Sequence, residues 1–420
     1  MPSRITQAIV PERLGHGFRW LVAANIVDNF GDGVVLAAGP LLVASLTQDP
    51  FLVSLAVTSG FLPVLLFGLP GGAVADRVDR KRMVVLANIA RAAVLAILVG
   101  TIVTDTVSIA IVLAALFVLG TAETFADSAS STLVPGLVAK DDLGIANARM
   151  QGGFVLMNQL VGPPIGAFMF AVGVALPFAT NAICFIAAAV LISRIVVSIP
   201  VRTGERTSLR ADLAEGVRWL LHHPPMRTLA LTIFLFNVTF GAAWGVLVLY
   251  AGERLGLGPV GFGLLTTAVA IGGIIGTVSY GALERRFALA NIMRVGLLIE
   301  TLWHLVFALT TSAAVAFVAM LVFGVHGFVW NTTSTVVRQR AVPNELLGRV
   351  GGVYRVAIVG GIVIGTPIGG LLARQFGITA PFWFGFIGSA VLVAILWRQF
   401  DHIVHSTEEP AAARPMTSPS

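Results

Sequence analysis

Twelve stretches of this chain stay apolar for about twenty residues at a time, and the polar residues collect in short clusters between them. The apolar stretches lie near 20–46, 51–75, 83–104, 107–131, 150–172, 177–199, 228–251, 260–283, 290–311, 314–337, 354–373 and 381–400. A helix rising about 1.5 Å per residue needs roughly twenty apolar residues to cross a hydrocarbon core of about 30 Å. Each stretch therefore predicts a membrane-spanning helix. Glycine and proline inside several of them fit that reading, because neighbouring helices satisfy the backbone groups they free. The predicted fold is an all-α polytopic membrane protein with twelve transmembrane helices.

The polar clusters divide the chain. Residues 1–199 form a first six-helix bundle, 200–227 a polar connection, 228–400 a second six-helix bundle, and 401–420 a polar, disordered tail. Within the connection, DLAEGVRWLLHH places Leu213, Val217 and Leu220 on one side, which predicts a helix lying along the membrane surface. Alternate loops are rich in arginine, among them Arg77, Arg80 and Arg82, then Arg202, Arg206 and Arg210, then Arg338 and Arg340. The opposite loops hold little beyond Arg254 and Arg374. Positive charge marks the cytoplasmic side, so both termini are expected in the cytoplasm and the chain in the cell (inner) membrane.

The two halves repeat. At an offset of 204, Gly120 falls on Gly324, Asp127 on Asn331, Pro163 on Pro367 and Pro177-Phe178 on Pro381-Phe382. Near the start of each half the offset is 209 to 210, pairing Gly72-Ala73 with Gly281-Ala282 and Phe30-Gly31 with Phe240-Gly241. Duplicated halves are a transporter plan, with the substrate site where they meet.

Composition removes the other classes. Of 420 residues, 56% are hydrophobic and only 11% charged, against about 25% charged in soluble domains. The net charge of +6 sits in the loops as an orientation signal, so no nucleic-acid partner is expected. The single cysteine, Cys184, precludes an intramolecular disulfide. Neither lysine, Lys81 or Lys140, follows a glycine as a phosphate-binding loop requires, which excludes a nucleotide-driven pump. The seven histidines are scattered, and no metal or cofactor is expected.

Against this apolar background the polar residues inside spans stand out. Asn25, Asp28, Asn29 and Asp32 recur at i, i+3, i+4 and i+7 in the first span, which makes one stripe on one face. A carboxylate at the bilayer centre costs roughly 2.5–3.5 kcal/mol even on the lenient insertion scale, so it must face a wet cavity or a partner. The fourth span carries Glu123, Thr124, Asp127 and Ser128, and the tenth Asn331, Ser334, Thr335 and Arg338. Arg91 lies about eight residues into the third span, or roughly 12 Å. Asp28 at similar depth is its expected partner. The 209 offset puts Glu300 at the equivalent point of the ninth span, with His304 one turn on as its expected local partner. Phe240, Trp244 and Trp330 are candidate aromatic walls.

Three motifs carry a resemblance. GAVADRVDRKR at 72–82 resembles the loop signature of the major facilitator superfamily, GPPIGA at 162–167 resembles the antiporter motif of its drug–proton exchangers, and GTPIGG at 365–370 repeats it. GTAETFADSASSTLVPGLVAKDDLGIANAR and VPNELLGRVGG are similar to the branch of macrolide-efflux proteins and enterobactin exporters. The resemblance implies that spans 1, 4, 7 and 10 line the cavity, which makes Asp28, Asn29, Asp32, Glu123, Asp127 and Asn331 candidates for proton coupling, with Arg91 of the third span added as the expected partner of Asp28. It implies a gating role for Gly72, Asp76, Arg77, Arg80 and Lys81, and an antiporter-motif helix at Gly162, Pro163 and Gly166. Two departures are visible: the second-half loop, GALERRF, is a degraded copy, and Leu116 stands where many of these antiporters carry an arginine in the fourth span.

The resulting expectation is a secondary transporter, not an enzyme. It would act as a monomer among membrane lipids, exporting a lipophilic small molecule, a drug such as a macrolide or a siderophore, in exchange for protons. A lysophospholipid flippase or another non-antiport transporter of the same plan is the alternative, and a membrane-embedded enzyme the third reading.

Overall fold

The computed structural model describes residues 12–75, 78–196, 209–397 and 399. Among them the regular structure is helical throughout. Eleven helices are long and apolar enough to cross a membrane, and a shorter apolar helix of 17 residues ends the series.

The first five spans and their flanks are α1 (Gly15–Leu46), α2 (Pro50–Ala75), α3 (Arg80–Val103), α4 (Ile109–Ser131), α5 (Leu143–Phe154) with a π-helical stretch (Val155–Val161), and α6 (Gly162–Val172). Then come α7 (Leu176–Ser193), α8 (Leu209–His222), α9 (Pro224–Trp244), α10 (Leu247–Glu253), α11 (Pro259–Arg286), α12 (Leu289–Leu309), α13 (Ala313–Ala341), α14 (Leu347–Phe376) and α15 (Ala380–Leu396). The fifth span starts earlier than its apolar stretch, because the polar turns of α5 continue the same helix. The seventh is broken at Gly245-Val246 into α9 and α10.

Two compact units form. Among the described residues, one holds those up to Val196 together with Leu247–Thr267, and the other holds Leu209–Val246 and those from Ala268 onward. The helical hairpin tip at 247–267, which the sequence places in the second bundle, thus packs with the first unit.

The surface explains why these helices show so little sidedness. Ile97 is 67% exposed, Ile183 70% and Val278 80%, so the outer faces are as apolar as the inner ones. Lipid tails solvate such faces as well as a protein core does, and association then depends on close backbone packing at small residues. In the first unit a Cβ on Gly120 would lie 2.8 Å from the Gly60 carbonyl, and in the second Gly324 lies tight against the Val269 carbonyl. These contacts repeat with the same two sequence offsets, 204 for one partner and 209 for the other. The duplication is therefore structural.

The amphipathic helix α8 docks on the start of α14. Gly216 fits against the Arg349 carbonyl, where a Cβ would lie 2.8 Å away, and Leu220 is buried. The Arg349 guanidinium bridges Asp212 at 2.9 Å and Glu215 at 2.8 Å. Val217 and Leu221 stay exposed, which leaves an apolar edge for the membrane interface.

Candidate functional site

In the first unit, α1 packs on α6, α7 and the π-helical stretch, and α3 packs on α4 and α7. This brings the polar stripe of α1 against Arg91 of α3. The Arg91 side chain is only 2% exposed, and three carboxylates surround its guanidinium. Nη2 donates to Asp32 at 2.5 Å and lies 3.8 Å from Glu123, while Nη1 lies 3.6 Å from Asp28. Nη1 also faces Asn88 Oδ1 at 3.4 Å, and the guanidinium stacks 3.8 Å from the centre of the Phe185 ring.

Asp32, not Asp28, is therefore the tight partner of Arg91. The two aspartates are one turn apart on the same face, and the seating of α3 against α1 favours the farther one. Asp28 Oδ1 is buried with no hydrogen-bond partner among the described residues. Of the other candidates, Asn29 turns back to donate to the Asn25 carbonyl at 2.8 Å. Asp127 is exposed one turn beyond Glu123 on α4, and Asn331 is exposed on α13 in the second unit. Asn88 and Phe185 are the residues that sequence reasoning missed. Asn88, three before Arg91 on the same helix face, was readable from spacing, whereas nothing local points to Phe185.

The charges of this cluster do not balance. Three carboxylates share one guanidinium, so full ionisation would leave two uncompensated negative charges inside a membrane span. Burying an unpaired ion costs several kcal/mol. The side chains of Asp28 and Asp32 are 23% and 15% exposed, and that of Glu123, at 45%, is the most open of the three.

The antiporter-motif residues hold the opposite side of α1. A Cβ on Gly162 would lie 2.6 Å from the Gly33 Cα, and Gly166 lies tight against the Val34 carbonyl. Gly31 likewise fits against Asn181 and Cys184 of α7. The glycines therefore let α6 and α7 approach α1 right behind Asp28 and Asp32. Pro163 and Pro164 lack the N–H that would cap the preceding carbonyls, and the widened π-helical turn ends at this point. Such turns are frequent at functional sites.

Of the loop motif, Asp76 and Arg77 lie outside the described residues. Gly72 has open space where a Cβ would stand, so packing within the unit does not explain it. Arg80 opens α3, and Asp79 caps that helix by accepting from the Arg82 backbone N–H at 3.1 Å. Lys81 donates to the Ile195 carbonyl at 2.7 Å, just past the end of α7, where a cation complements the helix dipole.

In the second unit the expected Glu300–His304 pair forms through the backbone and not through the carboxylate. His304 Nδ1 meets the backbone carbonyl of Glu300 at 2.9 Å, while the Glu300 carboxylate reaches across to His326 Nε2 on α13 at 3.3 Å. The imidazole of His304 is wedged against Gly385 of α15 and cannot turn to the carboxylate. Phe240 and Trp244 join an aromatic cluster, with Phe240 stacked on Phe323 at 5.6 Å and Trp303 tilted against Phe323 at 4.7 Å. Trp330 packs separately over Gly296.

The family model for transmembrane secretion effectors, a branch of the major facilitator superfamily, matches residues 8–419. The chain belongs to this family. It is a multi-pass membrane transporter and not an enzyme. It is 27% identical to the multidrug efflux pump Tap of Mycolicibacterium fortuitum over 387 residues, covering 86% of this chain and 90% of the relative. To the enterobactin exporter EntS of Shigella boydii it is 25% identical over 402 residues, covering 90% and 92%. The fold is also that of a bacterial homologue of the iron transporter ferroportin in its inward-facing state. There the TM-score is 0.72 at 17% identity, covering 91% of this chain and 98% of the other.

Proposed function

We propose that this transporter exports lipophilic small molecules against their gradient by exchanging them for protons carried on Asp28, Asp32 and Glu123. The single observation that carries this reading is the imbalance at Arg91, where three carboxylates within 4 Å share one guanidinium. A cluster with more carboxylates than cations takes up protons when it is closed off from water and gives them up when it is hydrated. Protonation of Asp32 weakens its bond to Arg91, and a substrate bound nearby favours the charged form. Competition between proton and substrate then produces exchange. Relatives named as a multidrug efflux pump and an enterobactin exporter support export as the direction. The substrate meets the protein from the surrounding lipid, and one chain suffices for the cycle.

The test is efflux of ethidium, a lipophilic cation, and of a macrolide panel from cells overproducing the chain. Lower intracellular accumulation than in a deletion strain is expected, and a protonophore is expected to abolish the difference. Efflux that persists with the proton gradient dissipated would rule out proton exchange while leaving the transporter standing.

Both termini and the 200–227 connection face the cytoplasm in this reading, in the cell membrane. In a Cys184→Ser background, Ser208→Cys and Thr417→Cys are expected to react with a membrane-impermeant thiol reagent only from inside, and Thr106→Cys only from outside. Reaction of Ser208→Cys and Thr106→Cys from the same side would overturn that orientation.

A further inference from the structure

The second unit holds a buried carboxylate that the Arg91 cluster does not account for. Glu300 sits near the middle of α12, and its side chain is 12% exposed. The only ionisable side chain that pairs with it among the described residues is His326, at 3.3 Å from Nε2, whose own side chain is 3% exposed. The contrast with the first unit is chemical. Arg91 carries a permanent charge, so it neutralises one carboxylate at any pH. Imidazole is charged only when it carries a second proton, so Glu300 is neutralised only when the pair holds a proton.

We infer that Glu300 and His326 form a second proton-binding site, loaded and emptied separately from the Asp28–Asp32–Glu123 cluster. With no proton the pair carries one negative charge inside a membrane span. One proton makes it neutral overall, whether the proton rests on the carboxylate or on the imidazole. The second imidazole nitrogen has no fixed partner. His326 Nδ1 and Trp330 Nε1 are both buried without a hydrogen-bond partner among the described residues, and both rings lie over Gly296, one turn before Glu300. Which ring nitrogen of a histidine carries the proton is set by the hydrogen bond that the other nitrogen makes. That tie is lacking here.

Among the described residues, the charged groups of the neighbouring helices are engaged elsewhere. α15 contains no ionisable residue. On α12, His304 is held to the Glu300 backbone carbonyl, and Arg294 donates to the Trp397 carbonyl at 3.0 Å. On α13, Arg340 pairs with Glu284 of α11 at 3.2 Å, and Arg338 stacks on Tyr354 of α14 at 4.5 Å. Tyr280, Arg285 and Arg286 complete the ionisable groups of α11, and Arg227, at the start of α9, reaches the Leu221 carbonyl at 3.3 Å. None of these replaces the imidazole as partner of Glu300.

This inference rests on the proton-exchange reading for its role in transport, but proton binding can be measured without a substrate. The experiment is infrared difference spectroscopy on the purified full-length chain, stepping pH from alkaline to acid in ordinary and heavy water. The unmodified chain is expected to gain protonated-carboxyl signal on acidification. Glu300→Gln is expected to lose one component of that signal, and His326→Gln to shift the midpoint of the same component. In an Asp28→Asn/Asp32→Asn variant the Glu300 component is expected to remain. Glutamine preserves size and hydrogen bonding, and a thermal unfolding scan confirms that each variant is folded. A Glu300→Gln spectrum that superimposes on that of the unmodified chain in both its carboxyl and its imidazole bands would overturn the site, as would loss of the Glu300 component when only Asp28 and Asp32 are changed. Protonophore-resistant efflux alongside an intact Glu300 component would instead sink the exchange reading and leave the proton site in place.

Discussion

Asp32→Asn is expected to leave the transporter folded in the membrane while ending uphill export. The asparagine oxygen still accepts from the Arg91 Nη2 that donates to Asp32 in the native chain, so shape and one hydrogen bond survive. Arg91 also keeps Asp28 and Glu123 within 4 Å. The stability loss should stay near ~1–2 kcal/mol, below the ~3–5 kcal/mol that follows when a buried charge loses its only partner. Export against a gradient should fall at least about tenfold, a loss of ~1.4 kcal/mol of coupling between proton and substrate. Substrate binding should persist. The measurement is counterflow, which needs no proton gradient, beside uphill efflux in the same proteoliposomes with ethidium as probe. Retained counterflow with lost uphill efflux is the expected pair of results, and normal uphill efflux would remove Asp32 from the coupling scheme. Arg91→Met is the companion variant. It strands three carboxylates with no fixed countercharge and is expected to lower abundance of the chain itself.

Gly166→Val is expected to fail earlier, at folding. The added side chain would press on the Val34 carbonyl, and a backbone atom on a packed helix cannot move aside as a flexible side chain can. Overpacking of this kind costs about 1–3 kcal/mol and sometimes more, and it falls directly behind Asp28 and Asp32. Folded protein recovered from membranes should drop several-fold, with reduced thermal stability in what remains. Gly72→Ala is the control. Open space surrounds that position, so abundance should be unchanged, and any loss of transport there would point to the loop motif's movement instead of its packing. Normal abundance of Gly166→Val would refute the close-approach account of the antiporter motif.

The two variants mark where local pattern and tertiary structure divide the information. The span map was legible because a bilayer of fixed thickness imposes a fixed apolar length. The internal repeat was legible because the same helix contacts, Gly120 on Gly60 and Gly324 on Val269, demand small residues at matching positions. The polar stripe of α1 and the lone arginine of α3 were legible because a charge in lipid is too costly to be incidental.

What the sequence by itself determined, then, is the fold class, the spans, the duplicated halves and the set of ionisable residues that must find partners. Only the tertiary structure decided which partners those are. Asp28 and Asp32 share a face one turn apart, and the choice between them for Arg91 depends on how α3 is seated along α1, which no residue spacing encodes. Glu300 pairs with His326 twenty-six residues away and not with His304 four residues on, because Gly385 fixes the His304 ring and α13 presents His326 to the carboxylate. In a soluble helix the apolar stripe would have told how each helix is turned. Here lipid makes the outer face as apolar as the inner, so helix rotation leaves little trace in the sequence and is set by glycine contacts between helices far apart in the chain.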